Sequence, residues 1–172
     1  MEEVNVTNYN AEWINDFGQE KAKIKNVMDK IILGIEHIGS TSVPGLGAKP
    51  VIDMMVGVKE LSQVSPEYIV QLKSINYEYV HKPEFPERLF FRKGHWRAGT
   101  HHLHVYIHNG EHWLNNIMFR DYLRSHPKAM DDYYRLKKQL EGLYKSDKVA
   151  YTEAKAPFIQ SILTKLRSEN QT

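Results

Sequence analysis

Val51-Ile52-Asp53-Met54-Met55-Val56-Gly57-Val58 is the strongest strand in the sequence. Apart from Asp53 it is almost wholly apolar, the pattern of a strand covered on both faces. A carboxylate inside such a run is costly unless it is paired, hydrogen-bonded or bound to metal, and ionisable groups in such places concentrate at functional sites. Two readings of Asp53 stand here: a satisfied structural acid, paired with Lys49 or an arginine, or a functional group. Before Asp53, and separated from it by twelve residues, a shorter apolar run ends at Ile38-Gly39-Ser40. A strand that ends in Gly-Ser presents backbone N–H groups and a hydroxyl, and glycine lets a phosphate approach the main chain. Taken alone, Gly-Ser is an ordinary turn.

Outward from this pair, helical periodicity runs from Asn10, a plausible N-cap, to about Ile32 through Trp13, Phe17, Ile24 and Met28. Ile31 to Ile38 reads as a short strand, and Thr41 to Pro50 as a loop or one broken helical turn. Pro66 to Ser74 reads as a helix with proline in its first turn. Tyr77 to Val80 and Arg88 to Arg92 are strand candidates. His101 to His108 alternates, with Leu103, Val105 and Ile107 on one face and His102, His104, Tyr106 and His108 on the other. Helices follow at about Glu111–Arg124, Lys128–Tyr144 and Val149–Ser168. No repeat or linker divides residues 1–172, which read as one domain. The order predicts an α+β fold: a small mixed β-sheet with helices mainly on one face, a C-terminal helical segment, and the histidine row on an open face.

Composition narrows the chemistry. The 172 residues include 0 cysteines, which excludes disulfides, thiol nucleophiles, thiolate zinc sites and iron–sulfur clusters. There are 9 histidines, six of them between His95 and His112. Metal binding or proton transfer therefore falls to imidazole and carboxylate. The acidic, polar start MEEVNVTNYN is unlike a secretory signal, and no apolar stretch approaches the roughly 18 residues of a membrane span. The expected location is the cytoplasm, with no membrane partner. A net charge of +2 argues against a large nucleic-acid footprint.

The spacing of an apolar residue, Gly-Ser, twelve residues and Asp resembles the signature of the nucleotidyltransferase superfamily. That resemblance implies that Gly39 and Ser40 grip nucleotide phosphates and that Asp53 holds a divalent metal. A second metal carboxylate belongs two residues after Asp53, where Met55 stands; a thioether is no ligand for magnesium. The longer string Glu36-His37-Ile38-Gly39-Ser40-Thr41-Ser42-Val43-Pro44-Gly45-Leu46, with Lys49-Pro50-Val51-Ile52-Asp53, looks like the GrpB family. So do His102-Leu103-His104-Val105, Phe119-Arg120-Asp121-Tyr122-Leu123-Arg124 with His126-Pro127, and Tyr151 through Lys155 to Phe158-Ile159. The matches run in order over nearly the whole chain. The resemblance implies a nucleotidyltransferase-like fold, in a family with some members fused to dephospho-coenzyme A kinase. It implies a fold and a site more firmly than a reaction.

The candidate site is assembled on that basis. His102 and His104 share a strand face, so either or both can join Asp53 on a metal (magnesium, manganese or zinc) and partly replace the carboxylate missing at Met55. Incidental histidines on a wet strand are the competing reading. Lys49, Arg92 and Arg120 are candidate phosphate partners beside Gly39 and Ser40, although a surface ion pair explains Arg120 equally well. Lys155 shares a helical stripe with Tyr151, Phe158 and Ile162 and is the candidate catalytic cation, against simple snorkelling. His95, His101 and His108 read as surface or loop residues, His112 as structural. Lys128, Arg135, Lys137, Lys138 and Lys145 read as one solvated helix face. The expected function is metal-dependent nucleotidyl or phosphoryl transfer on a nucleotide or phosphorylated small molecule. The alternative is a non-catalytic nucleotide- or phosphate-binding module, with metal-dependent hydrolysis a more distant one.

Overall fold

Asp53 and Gly39 sit at the ends of two adjacent strands, and the rest of the fold builds the walls around them. The structure is a computed structural model that describes residues 3–95 and 98–170. Helix α1 (Glu12–Met28) buries Trp13, Ile24 and Met28. Asn10 caps it from one position further out, its Oδ1 accepting the Glu12 N–H at 2.9 Å. Strand β1 (Gly34–Ile38) runs into a single 3-10 turn at Ser40–Ser42. Strand β2 (Ile52–Val58), α2 (Pro66–Ser74), β3 (Glu78–Val80), β4 (Leu89–His95) and β5 (Ala98–Ile107) complete the sheet region. Helices α3 (Glu111–Ser125), α4 (Pro127–Leu143) and α5 (Lys148–Glu169) close the chain. No helix among the described residues is long and apolar enough to cross a membrane.

The sheet order is β1-β2-β5-β4-β3. Among the described residues only β2 and β5 pair in parallel; the other neighbours are antiparallel. The parallel pair sets Asp53 opposite His102 and Met55 opposite His104. Alternation then decides the two faces. Ile52, Met54 and Val56 from β2, with Phe91, Leu103 and Val105, pack against Trp13, Ile24 and Met28 of α1 and Leu72 of α2. Leu103 is fully buried in this core. Leu103→Ala should cost about 2–5 kcal/mol in urea unfolding, because the close-packed neighbours cannot collapse into the space; a loss below about 1 kcal/mol would contradict this packing.

The opposite face, expected to be open, is walled. Trp113 of α3 packs on Ile38, Met55 and Tyr106. Helices α3–α5 form a core of their own from Leu123, Tyr133 and Ile162, joined by Val43 and Leu46 of the segment after the 3-10 turn. Each helix has an apolar stripe that must be covered, and these stripes cover one another and part of the histidine face. What stays uncovered is a cleft at the Asp53 end of the sheet.

Candidate functional site

Register brings two imidazoles to one carboxylate. Asp53 Oδ1 lies 3.3 Å from His102 Nδ1 and 3.6 Å from His104 Nε2. A third of the Asp53 side chain faces the cleft. Burial of the carboxyl works to raise its pKa, but the hydrogen bonds from His102 and His104 outweigh it and hold Asp53 well below the usual carboxylate range. Asp53 is therefore an anion at any ordinary pH. Met55, two residues on, is fully buried among Ile38, Tyr106 and Trp113. The position that could carry a second carboxylate is thus a packing position.

Arg88 assigns His104 its role. Its Nη1 lies 2.9 Å from His104 Nδ1, with the guanidinium stacked 4.7 Å from the Phe85 ring. A guanidinium can only donate, so Nδ1 accepts and the imidazole proton sits on Nε2, facing Asp53. Burial, with Arg88 adding to it and Asp53 opposing, lowers the His104 pKa and keeps the ring neutral. A metal at Nε2 needs that lone pair and moves the proton to Nδ1, where Arg88 already donates. In this arrangement His104 fits as the hydrogen-bond donor that steadies Asp53 and does not fit as a metal ligand. No cluster of three or more histidine, aspartate or glutamate side chains arranged to hold a metal occurs among the described residues. Asp53 and His102 remain as two donors beside the cleft. Arg88 had no marker in the sequence, since its partner is 16 residues away in a neighbouring strand.

The Gly39–Ser40 turn is held from behind. Gly39 has φ +70°, and a Cβ there would come 2.8 Å from Asp53 Oδ2, so the carboxylate packs directly on the glycine. The Thr41 hydroxyl donates to the Val51 carbonyl at 3.3 Å and so accepts from His37 Nε2 at 2.9 Å. His37 is kept neutral by burial, with Arg124 and Arg120 adding to it against Asp53; its pKa falls to about 4. Arg124 places Nε and Nη2 on the Ser42 carbonyl at 3.0 and 2.8 Å. These contacts fix the backbone that would face a phosphate.

Two cavities meet at Asp53. One, about 260 Å³, is lined by Ser40, Asp53, His102 and four lysines: Lys49, Lys137, Lys148 and Lys155. The other, about 320 Å³, shares Ser40, Asp53 and Lys155 but is otherwise uncharged, with Asn115, Asn116 and Gln160 over Phe119 and Tyr133. Lys155, with Nζ 4.7 Å from the Tyr151 ring centre, lines both. Burial, reinforced by Lys49 and Lys148 and opposed by Asp53, lowers its pKa.

Of the residues singled out from sequence, Gly39, Ser40, Lys49, Asp53, His102 and Lys155 converge here. Arg120 does not: it is buried against Glu36 Oε2 at 2.7 Å and the His37 carbonyl at 3.0 Å, bonds that tie α3 to β1. Arg92 stands opposite His102 in β4 and is not among the residues lining either cavity. His101 lies on the far side of the sheet beside Glu20, and the His95 side chain falls outside the described residues. Lys137 corrects the reading of α4 as a solvated basic face, for only 2% of it is exposed. The signal was present: Tyr133, Lys137 and Leu140, at helical spacing, form the buried stripe of α4.

The family model described as GrpB protein matches residues 3–165. The chain belongs to the GrpB family. It is 35% identical over 158 residues to UPF0157 protein YqkA of Bacillus subtilis, covering 92% of this chain and 46% of YqkA. It is 32% identical over 167 residues to the glutamate-rich protein GrpB of Alkalihalophilus pseudofirmus, covering 95% of this chain and 96% of that one. The chain thus spans about half the length of YqkA and nearly all of the second relative. The crystal structure of the conserved protein GrpB from Enterococcus faecalis superposes with a TM-score of 0.88 at 35% identity, over 98% of this chain and 100% of that one. A weaker likeness, TM-score 0.53 at 11% identity over 78% of this chain and 44% of the other, is to the Cid1 poly(U) polymerase. At that identity the fold is shared and nothing more is shown. This GrpB-family chain therefore shares with Cid1 a fold over that region.

Proposed function

We propose that this GrpB-family chain binds a nucleotide or related phosphorylated small molecule and transfers a phosphoryl or nucleotidyl group with the help of a divalent metal. One observation carries the reading: four lysines and the Gly39–Ser40 turn surround a single ionised carboxylate. Such an excess of positive charge in a narrow cleft favours a polyanion, and backbone N–H groups at a glycine turn favour phosphate oxygens. The likeness in fold to Cid1, described with MgGTP bound, supports the same class of ligand.

The chain's own residues divide the work. Ser40 and the adjoining backbone would orient the phosphates, while Lys49, Lys148 and Lys155 would offset their charge. Lys155, at the junction of the two cavities, would stand nearest the reacting phosphorus. Asp53 and His102 would hold the metal, with phosphate oxygens completing the coordination that protein donors do not supply. A divalent ion there would add electrostatic stabilisation of charge developing on the transferred group. His104, held by Arg88, would keep Asp53 aimed into the cleft. The uncharged cavity would take the neutral half of the ligand, a base and sugar, against its amides and rings.

Calorimetric titration with ATP, with and without magnesium, manganese or zinc, tests the binding. Affinity should fall with salt and rise with metal. Phosphorus NMR of the incubated mixture then tests turnover. Tight binding without product under every metal favours the second reading, a binding module, which the buried Met55 supports. No binding at low salt would reject both.

A further inference from the structure

We propose that Lys137 forms the innermost subsite of the lysine cleft, where it meets the terminal phosphate of the ligand. The inference rests on the cleft being a phosphate site and adds which end of the ligand lies deepest.

Lys137 sits on α4 with 2% of its surface exposed, yet it lines the lysine-rich cleft. Its Nζ donates to the Gly47 carbonyl at 2.6 Å and lies 5.0 Å from the Tyr133 ring centre. A lysine on an apolar stripe ordinarily reaches its ammonium to water, and this one does the reverse. Among the described residues no carboxylate lies within ion-pair distance of it. A leucine or methionine would fill the same space without leaving an ammonium buried and unbalanced. The polar head is therefore placed for something that comes from the cleft.

The groups around it agree. Lys148, Tyr151 and Lys155 face it from α5, and Lys49 from the segment before β2. On the sheet side stand Asp53 and His102, and Asp53 is already engaged by His102 and His104. Lys137 itself faces no carboxylate at ion-pair distance among the described residues, so an anion entering the cleft is the group that would balance it. Burial, and after it the charge of Lys155, lowers the Lys137 pKa to about 7 while no anion is present. A dianionic phosphate beside Nζ reverses both influences. The amine then takes a proton from solvent, keeps one N–H on the Gly47 carbonyl, and turns the other two to phosphate oxygens. A terminal phosphate carries two charges above pH 7 and fits this demand better than a diester, which carries one.

The test is calorimetry with a non-hydrolysable ATP analogue at pH 8 in buffers of different ionisation heat, which counts protons exchanged. The wild-type chain should take up roughly 0.9 proton per ligand, since a group with pKa near 7 is about one-tenth protonated at pH 8. Its dissociation constant should rise about tenfold per pH unit above pH 8. Lys137→Met should bind more weakly and take up less than about 0.3 proton. Lys137→Arg, permanently charged, should bind with no dependence on pH in this range. Circular dichroism of both variants establishes that they are folded. Binding by the wild-type chain without proton uptake, or undiminished uptake in Lys137→Met, overturns the role of Lys137 and leaves the phosphate cleft standing. Failure of the analogue to bind at all at low salt overturns the cleft and this subsite together.

Discussion

Asp53→Asn will bind ATP at least as well as the wild-type chain in the absence of metal, and will lose the gain in affinity that metal confers. The asparagine keeps the shape of the side chain and its Oδ1 can still accept from His102 or His104. What disappears is the one carboxylate among the described residues lining the cleft, and with it the hard donor a divalent ion requires. Metal-free binding of a polyanion should therefore hold or tighten. Product formation should fall by about 10³-fold, roughly 4 kcal/mol of barrier, the scale seen when one preorganised electrostatic group is removed. The parallel measurements are a calorimetric titration with and without magnesium and a phosphorus NMR time course. An unchanged metal response in Asp53→Asn would remove Asp53 from the site.

The same carboxylate makes an acid-stability prediction with a definite sign. Its folded pKa lies below the ordinary carboxylate value. The stability it contributes is complete above the unfolded value near about 3.9 and is lost only as pH falls through the lower folded value. Asp53→Asn should therefore flatten the acid limb of a pH–stability curve measured by urea unfolding.

Gly39→Ala will injure stability and ligand binding together. Its φ of +70° and ψ of −173° fall in a region that alanine reaches only at a cost of about 1–3 kcal/mol. The added Cβ would also press to 2.8 Å from Asp53 Oδ2, pushing the carboxylate out of its contact with His102 and His104. The melting temperature should fall by about 4–10 °C, and affinity for ATP in magnesium by at least about tenfold. Gly45→Ala is the matching control. It has φ +86°, while its Cβ would meet only the flexible end of Met130 at 3.5 Å. That variant should lose stability and keep its affinity. Equal loss of affinity in the two variants would show that Gly39 serves the backbone alone and does not shape the Asp53 site.

Much of the architecture was legible because local periodicity reports which face of an element is covered. The alternation of Leu103 and Val105 with His102 and His104 separated core from site before any partner was known, and the apolar run at 51–58 marked the central strand. Pro66–Ser74 matched a whole helix, since proline and the apolar spacing both act within a few residues. The parallel register of β2 with β5 is a tertiary fact, for it joins segments separated by α2, β3 and β4. Arg120 shows the limit from the other side. Its apolar helix pointed it inward correctly, but its partner Glu36 is 84 residues away, so an expected anion contact became a tie between α3 and β1.

By itself, then, the sequence determined the elements and the two faces of the sheet, because those follow from local spacing, while the meeting of Gly39, Ser40 and Asp53 was implied by the resemblance to the nucleotidyltransferase signature and is made by the β1–β2 pairing. The tertiary structure alone decided the electrostatic state of the site. It buried Lys137 with no counter-charge among the described residues, placed Arg88 on His104 so that the imidazole proton faces Asp53, and set Lys148 and Lys155 across from Lys49. Charge and protonation answer to desolvation and to neighbours a few ångströms away, and those neighbours come from distant parts of the chain.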